Sequence, residues 1–426
     1  MHPFGMQNKH LVTAFPLELE LSLIFIKRGI IMTKFGLDVL ISDFPKELAG
    51  KRVGLVCHAA SIDSSYQHAI DILAKGGQCR LAAVFGPQHG LFGQTQDNMI
   101  EWESGGTAHP VYNIPVHSLY GEHRKPTPKM LDGLDALLFD VQDVGARPYT
   151  YVWTLKHCME ACADKGIPVW VLDRPNPIGC VGVDGPMLSP GFFSFVGGGE
   201  IPLCHRMTMG EMALLIKKLY VSNSDLNIIW MDNWLRGSLW SDTGLPWVLP
   251  SPNMPTLDTA VVYPGQVLLE ATNISEGRGT TRPFELFGAP FINAIDVIGI
   301  LQKQNLPGCL FREHNFIPTF HKWAGEFCGG IQIHVTDAKT FRPVQTTAAF
   351  FSALVKLYGD KFKFKDPPYE YEYDKMPFDI LTGDTSMRES LLAGESAESM
   401  RARWEEDYTE WDDLFMTVAH YPERSA

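Results

Sequence analysis

The feature that most constrains this chain is a series of short, unbroken apolar runs alternating with helical patterns. "KRVGLVCHAASID" (51–63), "CRLAAVFGPQHG" (79–90), "LDGLDALLFDVQDVGARPYTY" (131–151) and "IPVWVLDRPNP" (167–177) each read as a strand that stops in polar residues. "YQHAIDILAKGG" (66–77) and "TLKHCMEACADKG" (154–166) read as helices with glycine stops. Strands alternating with helices predict a parallel sheet. Continuous apolar strands predict that both of its faces are covered. The fold class expected is α/β, a Rossmann-like parallel sheet domain followed by a smaller α+β domain.

The strand ends carry the chemistry. Gln88 and His89 follow the second run, Asp140, Gln142, Asp143 and Arg147 the third, and Asp173, Arg174 and Asn176 the fourth. All emerge on one edge of the sheet, where α/β proteins bind ligands. A single polar strand end is ordinarily a cap or a turn. Several on one edge mark a candidate cleft. Glu211 stands three residues after Thr208, a capping box, and is read as structural.

"LPWVLPSPNMPTL" (245–257), with Pro246, Pro250, Pro252 and Pro255, reads as an ordered connector. It divides the chain into an N-terminal extension (1–35), a first domain (36–252) and a second (253–426). Just past it, 262–292 crowds Glu270, Asn273, Glu276, Arg278, Arg282 and Glu285 into one segment. Beyond lie a strand pattern (329–337) and a helix (346–359). The stretch 386–411, laced with i,i+4 charge pairs, reads as a surface helix region.

The net charge of −13 argues against a nucleic-acid partner, which needs a basic face. None of the eight cysteines lies in a CxxC, so the thiols are read as reduced and the compartment as cytoplasmic. Glu18 and Glu20 interrupt the apolar stretch in residues 1–31, which makes a poor signal peptide and no membrane span. Met32 opens what reads as the domain start. Dinucleotide, P-loop, serine-hydrolase and zinc-protease motifs are missing, so no cofactor or metal is expected. Carboxylates, amides, arginines and aromatics remain. That inventory suits sugars: carboxylate pairs hydrolyse glycosidic bonds, amides and arginines bind their substituents, and Tyr151, Trp153 and Trp247 are candidates to stack on rings.

"FGPQHGLFG", "LLFDVQDVGARPYTY", "VLDRPNPIG", "VDGPML", "SPNMPTLDTAVVYPG" and "TNISEGRGTTRPFELFGAPF" resemble, in order, the signature segments of the NamZ family, formerly domain of unknown function 1343. The resemblance runs from about residue 37 to near the C-terminus. It implies a site between the two domains and release of N-acetylmuramic acid from the non-reducing end of peptidoglycan fragments. The partner expected is a small glycan, a muropeptide or disaccharide. On this basis Asp143 and Glu276 are expected to do the carboxylate chemistry, supported by Asp140 and His89. Gln88, Gln142, Arg147, Asp173, Asn176, Asn273, Arg278 and Arg282 are expected to bind substrate, with Arg278 or Arg147 on the lactyl carboxylate. The family segment commonly reads Pro-Glu-His-Gly, and Gln88 stands where that glutamate would be. An amide delivers no proton near neutral pH. The chain therefore uses another carboxylate (Glu101 and Glu103 are further candidates), needs only an orienting group there, or is a non-catalytic carbohydrate-binding relative. A hydrolase for another amino sugar is the remaining alternative.

Overall fold

The computed structural model describes residues 32–93, 96, 108–245 and 247–424. Residues 1–31, Glu101 and Glu103 lie outside them. Helix α1 (Gly36–Ser42) leads to strand β1 (Arg52–Cys57), helix α2 (Ala69–Gly76), strands β2 (Arg80–Gly86), β3 (Val116–Ser118) and β4 (Ala136–Asp140), helix α3 (Tyr151–Lys165) and strand β5 (Val169–Leu172). The hairpin of β6 (Asp184–Met187) and β7 (Pro202–Cys204) follows, then α4 (Met209–Leu219), β8 (Leu226–Ile229) and the short α5 (Trp240–Thr243). The main sheet has the order β3-β2-β1-β4-β5-β8, and every pairing in it is parallel. This is the doubly wound order, whose direction reverses between β1 and β4. The expected α/β architecture is therefore observed, with β3 and β8 added at the edges.

The second part begins with α6 (Leu257–Gln266). It includes the antiparallel sheet β10-β11-β9, made by β9 (Leu286–Ala289), β10 (Cys309–Glu313) and β11 (Gly329–Val335). Helix α7 (Ala294–Leu301) lies between β9 and β10. Helices α8 (Pro343–Tyr358), α9 (Pro377–Thr382), α10 (Ser386–Leu392) and α11 (Ala397–Met416) complete it. One apolar cluster runs from Val56 to Val418 without a break between the two parts. The described residues of the proline-rich connector form no regular element before Leu257, as its sequence requires.

Two expectations need correction. The segment 386–411 is not a solvated surface helix: Met400, Trp404, Trp411 and Phe415 fall on one stripe of α11 and are buried. Its charges occupy the other face. Tyr408 Oη donates to the Gly185 carbonyl at 3.0 Å, and Arg206 pairs with Asp412 at 2.8 Å, so α11 straps back over the first domain. The first domain also begins before residue 36. Thr33 N–H donates to the Thr243 carbonyl, Lys34 bridges Asp232, and Phe35 is buried.

Two buried carboxylates fix the sheet's carboxyl edge. Asp140 takes both prongs of Arg174, at 2.6 and 3.0 Å, and Arg174 also donates to the Ile62 carbonyl. Asp173 accepts from the N–H groups of Arg174 and Gly210, the Thr208 hydroxyl and the Tyr421 hydroxyl. Its carbonyl accepts the Gly36 N–H, and a Cβ on Gly36 would sit 2.4 Å from the Asp173 nitrogen, so only glycine lets α1 dock there. Burial pushes the Asp173 carboxyl up to about 7, although its hydrogen bonds oppose that shift.

Replacing Arg174 with Met strands the Asp140 charge inside the core. We expect a loss of about 3–5 kcal/mol in urea unfolding, partly recovered when Asp140→Asn is added. Asp173 holds a proton in the folded state up to about pH 7, whereas an unfolded aspartate loses it near 4. The native state binds the extra proton between those values, so stability falls as pH rises through that window. Tyr421→Phe removes a donor that favours the ionised form. It should cost about 1.5–3 kcal/mol at pH 8 but only about 1 kcal/mol at pH 5.5. Equal losses in thermal unfolding at the two pH values would contradict this account.

Candidate active site

A narrow cleft lies between the two parts. Gln88 and His89 line it from the loop after β2, and Tyr149, Thr150 and Tyr151 from the start of α3. Ser251 and Asn253 come from the connector, and Tyr263, Glu270, Arg278, Tyr369 and Glu370 from the second part. The loops after β2 and β4 thus meet beside the point where the sheet order reverses.

Local chemistry sets each wall. His89 (φ +69°) and Gly90 (φ +83°) turn the chain sharply after β2. The Gln88 side-chain oxygen accepts the Thr150 hydroxyl at 2.6 Å, which ties this loop to the start of α3. Tyr149, Tyr151, Tyr263 and Phe284 pack edge to face with centroids 4.8–5.6 Å apart, and Tyr151 Oη donates to the Pro250 carbonyl. This gives an aromatic wall that Tyr151 ties to the backbone.

The floor is a chain of alternating charges. Lys322 Nζ lies 2.8 Å and His321 Nδ1 3.1 Å from Glu276, which also pairs with Arg278 Nε at 3.2 Å. Arg278 Nη2 donates to Glu270 Oε1 at 2.7 Å, and Tyr369 Oη donates to Glu270 Oε2 at 2.8 Å. Burial alone would raise the Glu276 carboxyl, but Lys322, His321 and Arg278 together hold it well below the usual carboxylate range. Burial lowers Lys322 to about 8 against the pull of Glu276.

Glu370 differs from both. It stands with Tyr371 at the tip of a two-residue hairpin closed by paired Tyr369 and Glu372 backbones. Both tip residues have positive φ, +44° and +69°, a conformation that normally selects Asn or Gly. Non-glycine residues held there carry strain that the surroundings must offset. The Tyr120 hydroxyl donates to Glu370 Oε2 at 3.1 Å, and the Arg124 guanidinium covers the Tyr371 ring 3.1 Å from its centroid. Burial and the charge of Glu270 push the Glu370 carboxyl up to about 7. Two carboxylates thus face one cleft, the number that acid–base hydrolysis of a glycosidic bond requires.

Of the residues picked from sequence, Gln88, His89, Tyr151 and Arg278 line this cleft. The others fall outside its lining. Asp140 is spent on Arg174, and Asp173 caps α4. Asp143 takes the Gly145 N–H and lies 3.7 Å from His205. Gln142 donates to the Asp143 and Pro175 carbonyls, and Asn176 bridges Met207 and Ile178. Arg147 is sealed in the core, its guanidinium given to the Pro186, Ile201 and Leu381 carbonyls, so it meets no lactyl group. Arg278 already balances two carboxylates, which suits it to positioning Glu270 rather than attracting an anion. Glu276 sits behind the cleft wall, where Lys322, His321 and Arg278 hold its carboxyl well below the usual carboxylate range. Asn273 joins the backbone at Lys361 and Lys363, and Arg282 pairs with Glu285, both away from the cleft lining. Trp153 is buried with its Nε1 on the Arg147 carbonyl, and Trp247 packs on Trp240. Sequence reasoning noted Glu270 only within its crowded segment and passed over Glu370. The alternation in "PYEYEY" (368–373) was the available signal.

Comparison with known proteins agrees with this architecture. The chain matches the family models for the exo-beta-N-acetylmuramidase NamZ N-terminal domain over residues 53–258 and C-terminal domain over residues 261–421. It is 44% identical over 365 residues to the peptidoglycan beta-N-acetylmuramidase NamZ of Bacillus subtilis, covering 86% of each chain. Two DUF1343 family crystal structures from Bacteroides fragilis superpose with TM-scores of 0.82 and 0.72 at 31% and 27% identity. Each spans 92% of this chain, and the matches cover 99% and 100% of theirs. On these matches, which take in both domains in order, the chain belongs to the NamZ family.

Proposed function

We propose that this protein is an exo-acting β-N-acetylmuramidase that removes terminal N-acetylmuramic acid from small peptidoglycan-derived glycans by hydrolysis. The observation that carries this reading is the cleft between the domains, where Glu270 and Glu370 sit in contrasting environments among tyrosines and amides. Glycoside hydrolysis needs two such carboxylates. The aromatic wall and the side chains of Gln88, Ser251 and Asn253 supply the mixture of flat apolar surface and hydrogen-bonding groups that a sugar ring requires. Kinship to a peptidoglycan muramidase supports the same substrate class. We place the reaction in the cytoplasm, on imported fragments. All eight cysteines are unpaired, which fits a reducing compartment.

Gln88 favours a second reading, a relative that binds the sugar without cleaving it. One assay separates the two: release of free N-acetylmuramic acid from a muramic-acid–glucosamine disaccharide, followed by mass spectrometry. We expect turnover by the wild type and no dependence on a carboxylate at position 88. Turnover only after Gln88→Glu would mean that the site has lost its acid. Silence from both, with the disaccharide still bound, would establish the binding protein. Glu276→Gln leaves Lys322 and Arg278 short of a counter-charge. It should lower stability by about 3–5 kcal/mol, so that activity is lost together with the melting transition.

A further inference from the structure

The hydrolase reading leaves open where the proton for the leaving group comes from, since Gln88 cannot supply it. Among the described residues, Glu270 and Glu370 are the carboxylates that line the cleft. Glu270 is held on both oxygens by donors, Arg278 on one and Tyr369 on the other. Both of its oxygens therefore act as acceptors in the structure. Glu370 comes from a different element, a hairpin tip held in a costly backbone conformation, and the Tyr120 hydroxyl fixes its Oε2. Arg124 clamps the neighbouring Tyr371. The fold thus spends strain to bring this carboxyl to the cleft, and strain of that kind clusters at working sites.

We propose that Glu370 is the catalytic residue that protonates the glycosidic oxygen, with Glu270 as its anionic partner, so that the reaction runs without a carboxylate at position 88. This assignment rests on the hydrolase reading above. As the bond between the muramic C1 and the glycosidic oxygen breaks, its electron pair leaves with that oxygen. The oxygen takes the Glu370 proton and departs as the alcohol of the next sugar. Water adds its oxygen to C1, and one of its protons returns to the carboxylate pair. One water is consumed, and protonated Glu370 is restored. Gln88 is left an orienting task that an amide performs: holding a hydroxyl or the acetamide of the sugar. Burial beside Glu270 keeps the Glu370 proton in place up to about pH 7, so the acid form is available at neutral pH.

The test compares two leaving groups. Glu370→Gln should lower kcat on the muramic-acid–glucosamine disaccharide by about 10²–10⁴-fold. On 2,4-dinitrophenyl N-acetylmuramide, whose leaving group departs without a proton, it should lower kcat by less than about tenfold. Wild-type kcat/KM on the disaccharide should fall above about pH 7. Tyr120→Phe, which removes a hydrogen bond that favours ionised Glu370, should move that limb to higher pH. Disaccharide turnover by Glu370→Gln within about threefold of wild type, against the loss expected of an acid catalyst, would overturn the assignment while leaving the hydrolase reading intact. Equal losses on both substrates in a folded variant would reduce Glu370 to a positioning residue. If Glu370→Gln does not fold, a Tyr120→Phe limb that stays in place overturns the assignment. Silence of the wild type on both substrates would instead overturn the hydrolase reading.

Discussion

Asp173 joins three distant parts of the chain at one buried point. Through it the end of β5 holds the N-terminus of α4, the start of α1 and the C-terminal tyrosine 421. The next residue, Arg174, holds Asp140 at the end of the neighbouring strand. The carboxyl edge of the sheet is thereby a rigid frame, and α11 lies across the hairpin beside it. Both walls of the cleft hang from that frame. The loops after β2 and β4 project from it directly. The second part is locked to it through a shared apolar core and through the strap that ends at Tyr421.

On such a frame the floor of the cleft carries charges that would be ruinous singly. Lys322, Glu276, Arg278 and Glu270 alternate in sign, so every buried charge has an opposite neighbour. Only the last of them lines the cleft as a carboxylate. Glu370 stands outside this relay, on a separate hairpin, with the Tyr120 hydroxyl donating to it and Glu270 as its electrostatic opponent. One carboxylate is held by cations. The other, nearby, is raised by burial and by the first. Two residues of the same type thereby stand in different surroundings, set by the elements that carry them.

The fold was legible because strands buried on both faces must be written as unbroken apolar runs, and helices that cover them must repeat their apolar residues every three or four positions. The loop holding Gln88 and His89 was legible for the same reason: it is where a strand stops. Polar residues at strand ends were legible as polar, but their partners were not. Asp140 meets Arg174 from the next strand, and Asp173 meets Tyr421 from 248 residues away. Sequence spacing carries no record of such meetings, so anchors passed for ligands. Glu370 was hidden for the opposite reason. Its short segment alternates tyrosine and glutamate as a strand would, and its character comes instead from burial by Tyr120, Glu270 and the surrounding core, none adjacent in sequence.

The long reach of the Asp173–Tyr421 bond also sets a condition on biosynthesis. At about 5–20 residues per second, the ribosome adds the intervening 248 residues in roughly ten to fifty seconds. Throughout that interval the parallel sheet of the nascent chain can assemble, yet Asp173 lacks its last donor. The edge of the sheet that Asp173 anchors is therefore completed only when nearly the whole chain has been made, and a truncation just short of Tyr421 would leave this buried point one donor short.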